Sequence, residues 1–309
     1  MSQQRKKKTK GFNPKPIVGS DKDEYLLNKN KGGDNFEKGR DYEIHFAVGR
    51  LAELVDIYLT KGKELKAQSQ KPGFFVDDLV IDYSTKKRKA WQLKDVAKLS
   101  WGSGTRKGTI GFDFYNQIHN NPGKKEELAL VVSSKRLCEK LEKDKPTVLQ
   151  SCEVEFFPNS TLLDLIREGH LFSPLSKIAR SSSPSHALLK EIANLLIARW
   201  REQNGQIKTS ELLPINGYPN LLRTAHPEAK AKGILQQQVK TILDAIPGFK
   251  YEIDRGFFHC SYLETTRQTL GFDCFSQKFK TVQDWIVENK PTVFEGPFER
   301  MLNTWSDDL

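Results

Sequence analysis

Two neighbouring acids and a Gln-x-Lys are the residues of this chain whose types and spacing suggest a reaction. Asp77 and Asp78 sit in the apolar run Phe74-Phe75-Val76-Asp77-Asp78-Leu79-Val80-Ile81-Asp82, and Gln92 and Lys94 sit in Ala90-Trp91-Gln92-Leu93-Lys94-Asp95-Val96. Both runs read as strands, and Ser84-Thr85-Lys86-Lys87-Arg88-Lys89 between them reads as the turn of a hairpin. Residues two apart in a strand share a face. Gln92 and Lys94 therefore project together, toward a side that one of the two acids can share. A carboxylate, an amide oxygen and an ammonium on one patch are the parts of a metal-dependent phosphodiesterase site. Hydrolysing a phosphodiester places negative charge on a centre that is already anionic. A hard cation such as Mg²⁺ or Mn²⁺, held by oxygen ligands, neutralises that charge and lowers the pKa of a bound water. An ammonium beside the phosphate stabilises the transition state. The plain alternative is that the acids cap a strand or pair with surface lysines, while Gln92 and Lys94 line an exposed edge strand.

The elements that must hold this hairpin follow from periodicity. Ile44, Ala47, Val48, Leu51, Leu54, Val55 and Tyr58 recur at helical spacing and predict a helix over residues 36–60. Glu43 lies at the edge of its apolar stripe, where it can face the sheet, while Glu37 and Glu53 read as solvated. After the hairpin comes a glycine-rich basic loop, Trp101-Gly102-Ser103-Gly104-Thr105-Arg106-Lys107-Gly108. Helices are predicted over 112–119, 135–143 and 162–168, and strands over 128–133 and 153–157. This order predicts an α/β unit with a mixed central sheet. Residues 1–35 read as a basic, flexible leader, with no apolar segment of the secretory type after Lys10. Ser181-Ser182-Ser183-Pro184-Ser185 reads as a linker. The expected division is thus a leader at 1–35, a catalytic unit at 36–180 and a second domain at 185–309. In the second domain, helices near 186–203, 209–213 and 233–246 precede a hairpin over 249–262. That is the order of a winged helix. A helical tail is expected to run through Trp285 to Trp305.

Composition sets the partner class. The 309 residues carry a net charge of +10 and a pI near 9.2, which favours a polyanion, nucleic acid first. Lys86, Lys87 and Arg88 in the turn, and Arg106 and Lys107 in the loop, are the candidate phosphate contacts. Cys138, Cys152, Cys260 and Cys274 are scattered without a Cys-x-x-Cys pair, so free thiols in a reducing cytoplasm are expected. His45, His119, His186 and His259 show no ligand spacing. No apolar run is long enough to span a membrane.

The segment from Phe36 to Val96 resembles the PD-(D/E)XK nuclease superfamily, which has the restriction-endonuclease-like fold. It is most similar to the Gln-x-Lys variants found among bacterial anti-phage defence effectors and Mrr-type restriction enzymes. Asp78 (or Asp77), Gln92-Leu93-Lys94 and the helical Glu43 match that pattern, and Gly39-Arg40-Asp41-Tyr42-Glu43 matches its helix start. The resemblance covers roughly half of the chain and implies a metal-dependent DNA endonuclease. In that reading Glu43, Asp78 and Gln92 are the metal ligands, and Lys94 orients or activates water and stabilises charge. The expected partners are double-stranded DNA, a second copy of the chain and a partner protein of a defence system, such as an ATPase or sensor. The family's second acid is here the neutral Gln92, a weaker ligand for a hard cation. Two other settings share these residues. One is the endonuclease subunit of a heteromeric transposon. The other is a catalytically silent DNA-binding or scaffolding subunit.

Overall fold

A long apolar stripe on one helix and a run of alternating strands together build the first layer and sheet of the protein. The structure is a computed structural model that describes residues 14, 16–33, 37–120, 125–213, 221–223, 235–254, 256–262, 272–274, 276–293, 295–297 and 299–300. In chain order the helices and strands are α1 (Ser20–Gly33), α2 (Glu37–Lys61), β1 (Lys66–Gln68), β2 (Leu79–Asp82), β3 (Lys87–Lys94), α3 (Ile110–Asn120) and β4 (Lys125–Val132). They continue with α4 (Lys135–Lys143), β5 (Glu153–Phe156), α5 (Leu162–Arg167), α6 (Phe172–Ile178), α7 (His186–Glu202) and β6 (Gln206–Lys208). The remainder is α8 (Gln237–Asp244), β7 (Phe249–Asp254), β8 (Phe257–Tyr262), β9 (Phe272–Asp273) and α9 (Gln277–Asn289). The fold is α/β, with a six-stranded mixed sheet flanked by helices.

The chain divides into two compact units. The first takes residues 1–51, 64–171 and 194–212, and the second takes 52–63, 172–193 and 213–309. Residues 194–212 belong to the first unit because β6 joins its sheet.

In the first unit the strand order is β5-β4-β3-β2-β1-β6. The β1–β2, β2–β3 and β1–β6 pairs are antiparallel, while β3–β4 and β4–β5 are parallel. Parallel neighbours need a crossover, and α3 and α4 supply the two crossovers. Both lie on the face that carries Ala90, Leu128, Leu130 and Val132, through Ile110, Phe114, Leu137 and Leu141. The other face of β3 presents Trp91, against which Phe46 of α2 packs edge-on at 6.1 Å. Strands β3, β4 and β5 therefore all end at one edge of the sheet, and α3 and α4 start there. In open α/β sheets this is where ligands bind.

Three expectations are corrected here. The leader is not structureless over Ser20–Gly33. That stretch forms α1, and its Tyr25 packs on Phe75 and Phe112 while its hydroxyl donates to Asp113 Oδ1 at 2.6 Å. Within 74–82, only Leu79–Asp82 is strand, because Phe74 to Asp78 bond elsewhere. The second strand starts at Lys87, so half of the expected turn, Lys87 to Lys89, is strand. The basic stretch at residues 1–10 and the tail beyond 300 lie outside the described residues.

Strands β1 and β6 are short, and their closure depends on one glycine and one threonine. Gly205 has φ +71°, and its carbonyl accepts from Ser69 N at 2.7 Å. A Cβ there would lie 2.0 Å from Ser69 Oγ, so only glycine fits. The fully buried Thr209 hydroxyl accepts from Leu65 N at 3.0 Å and donates to Leu65 O at 3.1 Å. Thr209→Val keeps the shape and strands a buried N–H. It is expected to lower unfolding stability by about 2 kcal/mol, read from urea denaturation.

In the second unit, β7, β8 and β9 form an antiparallel sheet in that order. Val239 and Leu243 of α8 and Phe279, Val282 and Ile286 of α9 share one apolar cluster with Phe249 and Phe258. Ser276 caps α9 by accepting from Phe279 N at 3.1 Å. Arg223 pairs with Asp56 at 2.6 Å and reaches Thr60 Oγ1 at 2.7 Å. Among the described residues, no helix is long and apolar enough to cross a membrane.

Candidate active site

The register of the β2–β3 hairpin decides which acid meets the Gln-x-Lys. Leu79 pairs with Trp91 and Val80 with Ala90. Directly opposite residues share a face, so Asp78, one step before Leu79, faces Gln92. Asp78 Oδ2 accepts from the Gln92 side-chain amide and, at 2.7 Å, from Leu93 N. Lys94 Nζ lies 3.7 Å from the same oxygen. The other oxygen, Oδ1, accepts from Gln70 Nε2 at 3.3 Å. Gln92 is 1% exposed, Asp78 8%, and the Lys94 side chain 34%. The two inner groups are thus held in a dry setting, while the ammonium reaches solvent. Gln70 was not legible as a site residue. It has φ +46°, a left-handed conformation that a residue with a side chain seldom adopts, and it reaches Asp78 only through the fold.

Asp77 points the other way and is fully buried. Its charge contributes to raising the Tyr25 hydroxyl pKa well above the ordinary phenol value, a shift driven first by burial and then by Asp113. A slip of one residue in the hairpin would exchange the two acids.

Asp78 stands at the end of a loop whose backbone groups are satisfied by a side chain. Gln117 Oε1, on α3, accepts from Phe75 N at 2.7 Å and from Val76 N at 3.3 Å, and Gln117 Nε2 donates to Glu126 Oε2 at 3.0 Å. The loop's entrance is held from Lys71, whose Nζ bonds Asp82 Oδ2 at 2.8 Å and lies 4.9 Å from the centre of the Phe74 ring. Arg88 covers the same ring at 4.7 Å and bonds Asp82 from the other side. Burial acts to raise the Asp82 pKa, but the hydrogen bonds from Lys71 and Arg88 outweigh it and hold the carboxyl below its usual value.

Glu43 lies near the amino end of α2, at the edge of the sheet where β3 and β5 end. Its neighbour Tyr42 donates to Phe157 O at 3.0 Å, and the Tyr42 hydroxyl pKa is raised by burial first and by Asp95 second. Phe46, on the same helix, packs against Trp91, whereas Gln92 and Lys94 face the opposite side of β3. The structure therefore brings Asp78, Gln92 and Lys94 together, and sets Glu43 at the same end on the helix that covers the other face. Among the described residues, no three His, Cys, Asp or Glu side chains are grouped to hold a metal ion.

The basic candidates separate into two places. Lys86, Lys87 and Arg88 stand at the far end of β3, about 23 Å from Lys94 at the usual strand rise. Lys87 is paired with Glu127 at 3.0 Å, and Arg88 is buried against Asp82, with Glu126 3.9 Å away. Of the two, Arg88 is buried and Lys87 is exposed. Their charges are met by carboxylates from β2 and β4, which the local sequence of the turn does not show. Lys86 is exposed but lies at that same distant end. Arg106 and Lys107 are exposed in the loop that leaves the Lys94 end of β3. Lys107 sits 6.0 Å from the Tyr25 ring.

No family model, curated protein or solved structure matches this chain.

Proposed function

We propose that the protein is a metal-dependent endonuclease that hydrolyses double-stranded DNA at Asp78, Gln92 and Lys94. The observation that carries this reading is the convergence of the Gln92 amide, the Leu93 N–H and the Lys94 ammonium on the Asp78 carboxylate, at the carboxyl end of a sheet. The donor set suits a hard cation. It offers one carboxylate and one amide, and a half-turn of the Gln92 amide presents its oxygen in place of its nitrogen. Asp78 and Gln92 would hold Mg²⁺ or Mn²⁺, with Glu43 on α2 as the further acid proposed. The bound cation supplies charge neutralisation and a more acidic water. Lys94 holds the attacked phosphate and the water next to it. The Leu93 N–H and Gln70 keep Asp78 oriented before substrate arrives.

The second unit serves in this reading as a winged-helix-like module for DNA or a partner protein. The order of a helix, an antiparallel hairpin and a closing helix around one apolar cluster supports it. A bacterial anti-phage setting, action as a dimer and a cytoplasmic location belong to the same proposal. Supercoiled plasmid is the test substrate. Nicking or linearisation with Mg²⁺, abolished by EDTA and by Asp78→Asn, is the expected result. Equal conversion by Asp78→Asn and wild type would sink the mechanism.

A second reading is favoured by one observation, the single carboxylate at the Gln92 position's side of the site. A silent DNA-binding subunit would keep the cationic surface and lose the metal. Calorimetry showing no Mg²⁺ uptake by a protein that still binds DNA would select it.

A further inference from the structure

The cations of the first unit are distributed unevenly along the sheet. At the β2–β3 turn Lys86 is exposed without an ion pair among the described residues, but the three cations after it meet carboxylates. Lys87 lies 3.0 Å from Glu127, Arg88 is bonded to Asp82, and Lys89 lies 2.6 Å from Glu153 and 3.1 Å from Glu155. At the opposite end the pattern reverses. Lys98 and Arg106, in the loop after β3, and Lys135 and Arg136, at the start of α4, are all exposed. None of the four enters an ion pair among the described residues.

Register places Lys135 and Arg136 near the Lys94 end of β3, and chain order starts the loop of Lys98 and Arg106 there. Lys94 is the strand partner of Val132, the last residue of β4. Adjacent strands lie about 4.8 Å apart. Ser133 and Ser134 follow, and Ser134 caps α4 by accepting from Leu137 N at 3.3 Å. Lys135 and Arg136 come next, on the solvent side of a helix that turns Leu137 and Leu141 into the core. The first turn of α4 carries no acid. The loop with Lys98 and Arg106 leaves β3 just past Lys94 itself, and its Trp101 donates to Leu141 O of α4 at 2.8 Å. Such a pattern has a physical cost. Unpaired like charges at one end repel one another, whereas a carboxylate on a neighbouring strand relieves that repulsion at the turn. An arrangement of this kind is stabilised when a polyanion lies across it.

We infer that Lys98, Arg106, Lys135 and Arg136 form a phosphate-contact track that seats the backbone of duplex DNA beside Asp78, Gln92 and Lys94. Lys135 and Arg136 are the new members. The choice of DNA rests on the nuclease reading, while the track itself rests on charge and placement. Duplex DNA carries one charge per about 1.7 Å of axis, so four cations spread over this edge can each meet a phosphate. Each such contact contributes about −0.9 to the slope of log affinity against log salt.

The test is equilibrium binding of the full chain to a fluorescent duplex in EDTA, where cleavage cannot interfere, across a series of salt concentrations. The Lys135→Gln/Arg136→Gln variant is expected to weaken binding at least tenfold near 0.1 M salt and to flatten the slope by about 1.8. Lys86→Gln/Lys87→Gln, at the other end of β3, should leave both unchanged. A thermal melt of each variant separates lost contacts from lost fold. Equal slopes for the two variants, or no salt-dependent duplex binding by wild type, would overturn the track. Preference for a structured RNA over the duplex would also overturn it. A track that passes this test in a protein that never cuts plasmid would reject the nuclease reading alone.

Discussion

Lys94→Ala is expected to lower DNA cleavage by a factor of about 10²–10³, the usual loss when a charge-stabilising donor is removed from a transition state. Stability should hardly change. The Lys94 side chain is one-third exposed, and its recorded ionic partner, Asp78, stands 3.7 Å away. The Asp78 side chain is buried, but a pair this long with its cation open to solvent is worth about 1 kcal/mol. Asp78 also keeps the Leu93 N–H and the Gln92 amide when the ammonium is gone. The melting temperature should therefore stay within a few degrees of wild type while the plasmid survives. Lys94→Arg keeps the charge but replaces a compact ammonium with a wider planar fork, so partial recovery is expected. Undiminished cleavage by Lys94→Ala, with wild-type melting, would remove the residue from the mechanism. A parallel loss of melting temperature and activity would assign it to the fold instead.

The second large effect is placed away from the reacting groups, at Gln117. This side chain is fully buried and accepts two backbone N–H groups of the loop that carries Asp78. Its amide also donates to Glu126, whose side chain is itself only 6% exposed. Gln117→Leu keeps much of the volume and removes all three bonds. Buried polar groups left without partners cost about 1–3 kcal/mol each, so a loss of about 3 kcal/mol in unfolding free energy is expected. Cleavage should fall as well, even well below the melting temperature, because Asp78 follows Val76 by two residues and loses its anchored approach. Gln70→Ala removes a weaker contact, at 3.3 Å, and should lower activity with little change in stability. Were Gln117→Leu to melt like wild type, the loop would have another source of order.

The local signals carried well where one element could satisfy itself. The apolar stripe from Ile44 to Tyr58 became α2, and Lys135–Lys143, with Ser134 as cap, became α4. The Gln-x-Lys spacing put Gln92 and Lys94 on one face of β3, as a period of two requires. Asp78 is preferred to Asp77 in the sequence because Leu79-Val80-Ile81 follows it directly, and Asp78 is the acid that meets Gln92. That meeting depends on a hairpin register that is set by Leu79 against Trp91, and a single step reverses it. The strand expected over 74–82 shortened because Gln117, from a helix downstream, bonds Phe75 and Val76 in place of a strand neighbour. Tyr25 made the leader partly ordered by finding Asp113 and Phe75 far along the chain.

What the sequence by itself determined is most of the longer helices and strands and the residues able to do chemistry, since helix and strand periods and side-chain pKa ranges are local properties. The contacts that hold Asp78 against the Gln-x-Lys, and which cations remain exposed for a polyanion, were decided only in the tertiary structure. Lys87, Arg88 and Lys89 looked like the basic patch, yet Asp82, Glu127, Glu153 and Glu155 on paired strands take up their charge. Lys135 and Arg136 looked like an ordinary helix start, and the parallel pairing of β3 with β4 sets them beside Lys94. Charge compensation acts through space over a few ångströms. Strand pairing, not order along the chain, determines which charges come that close.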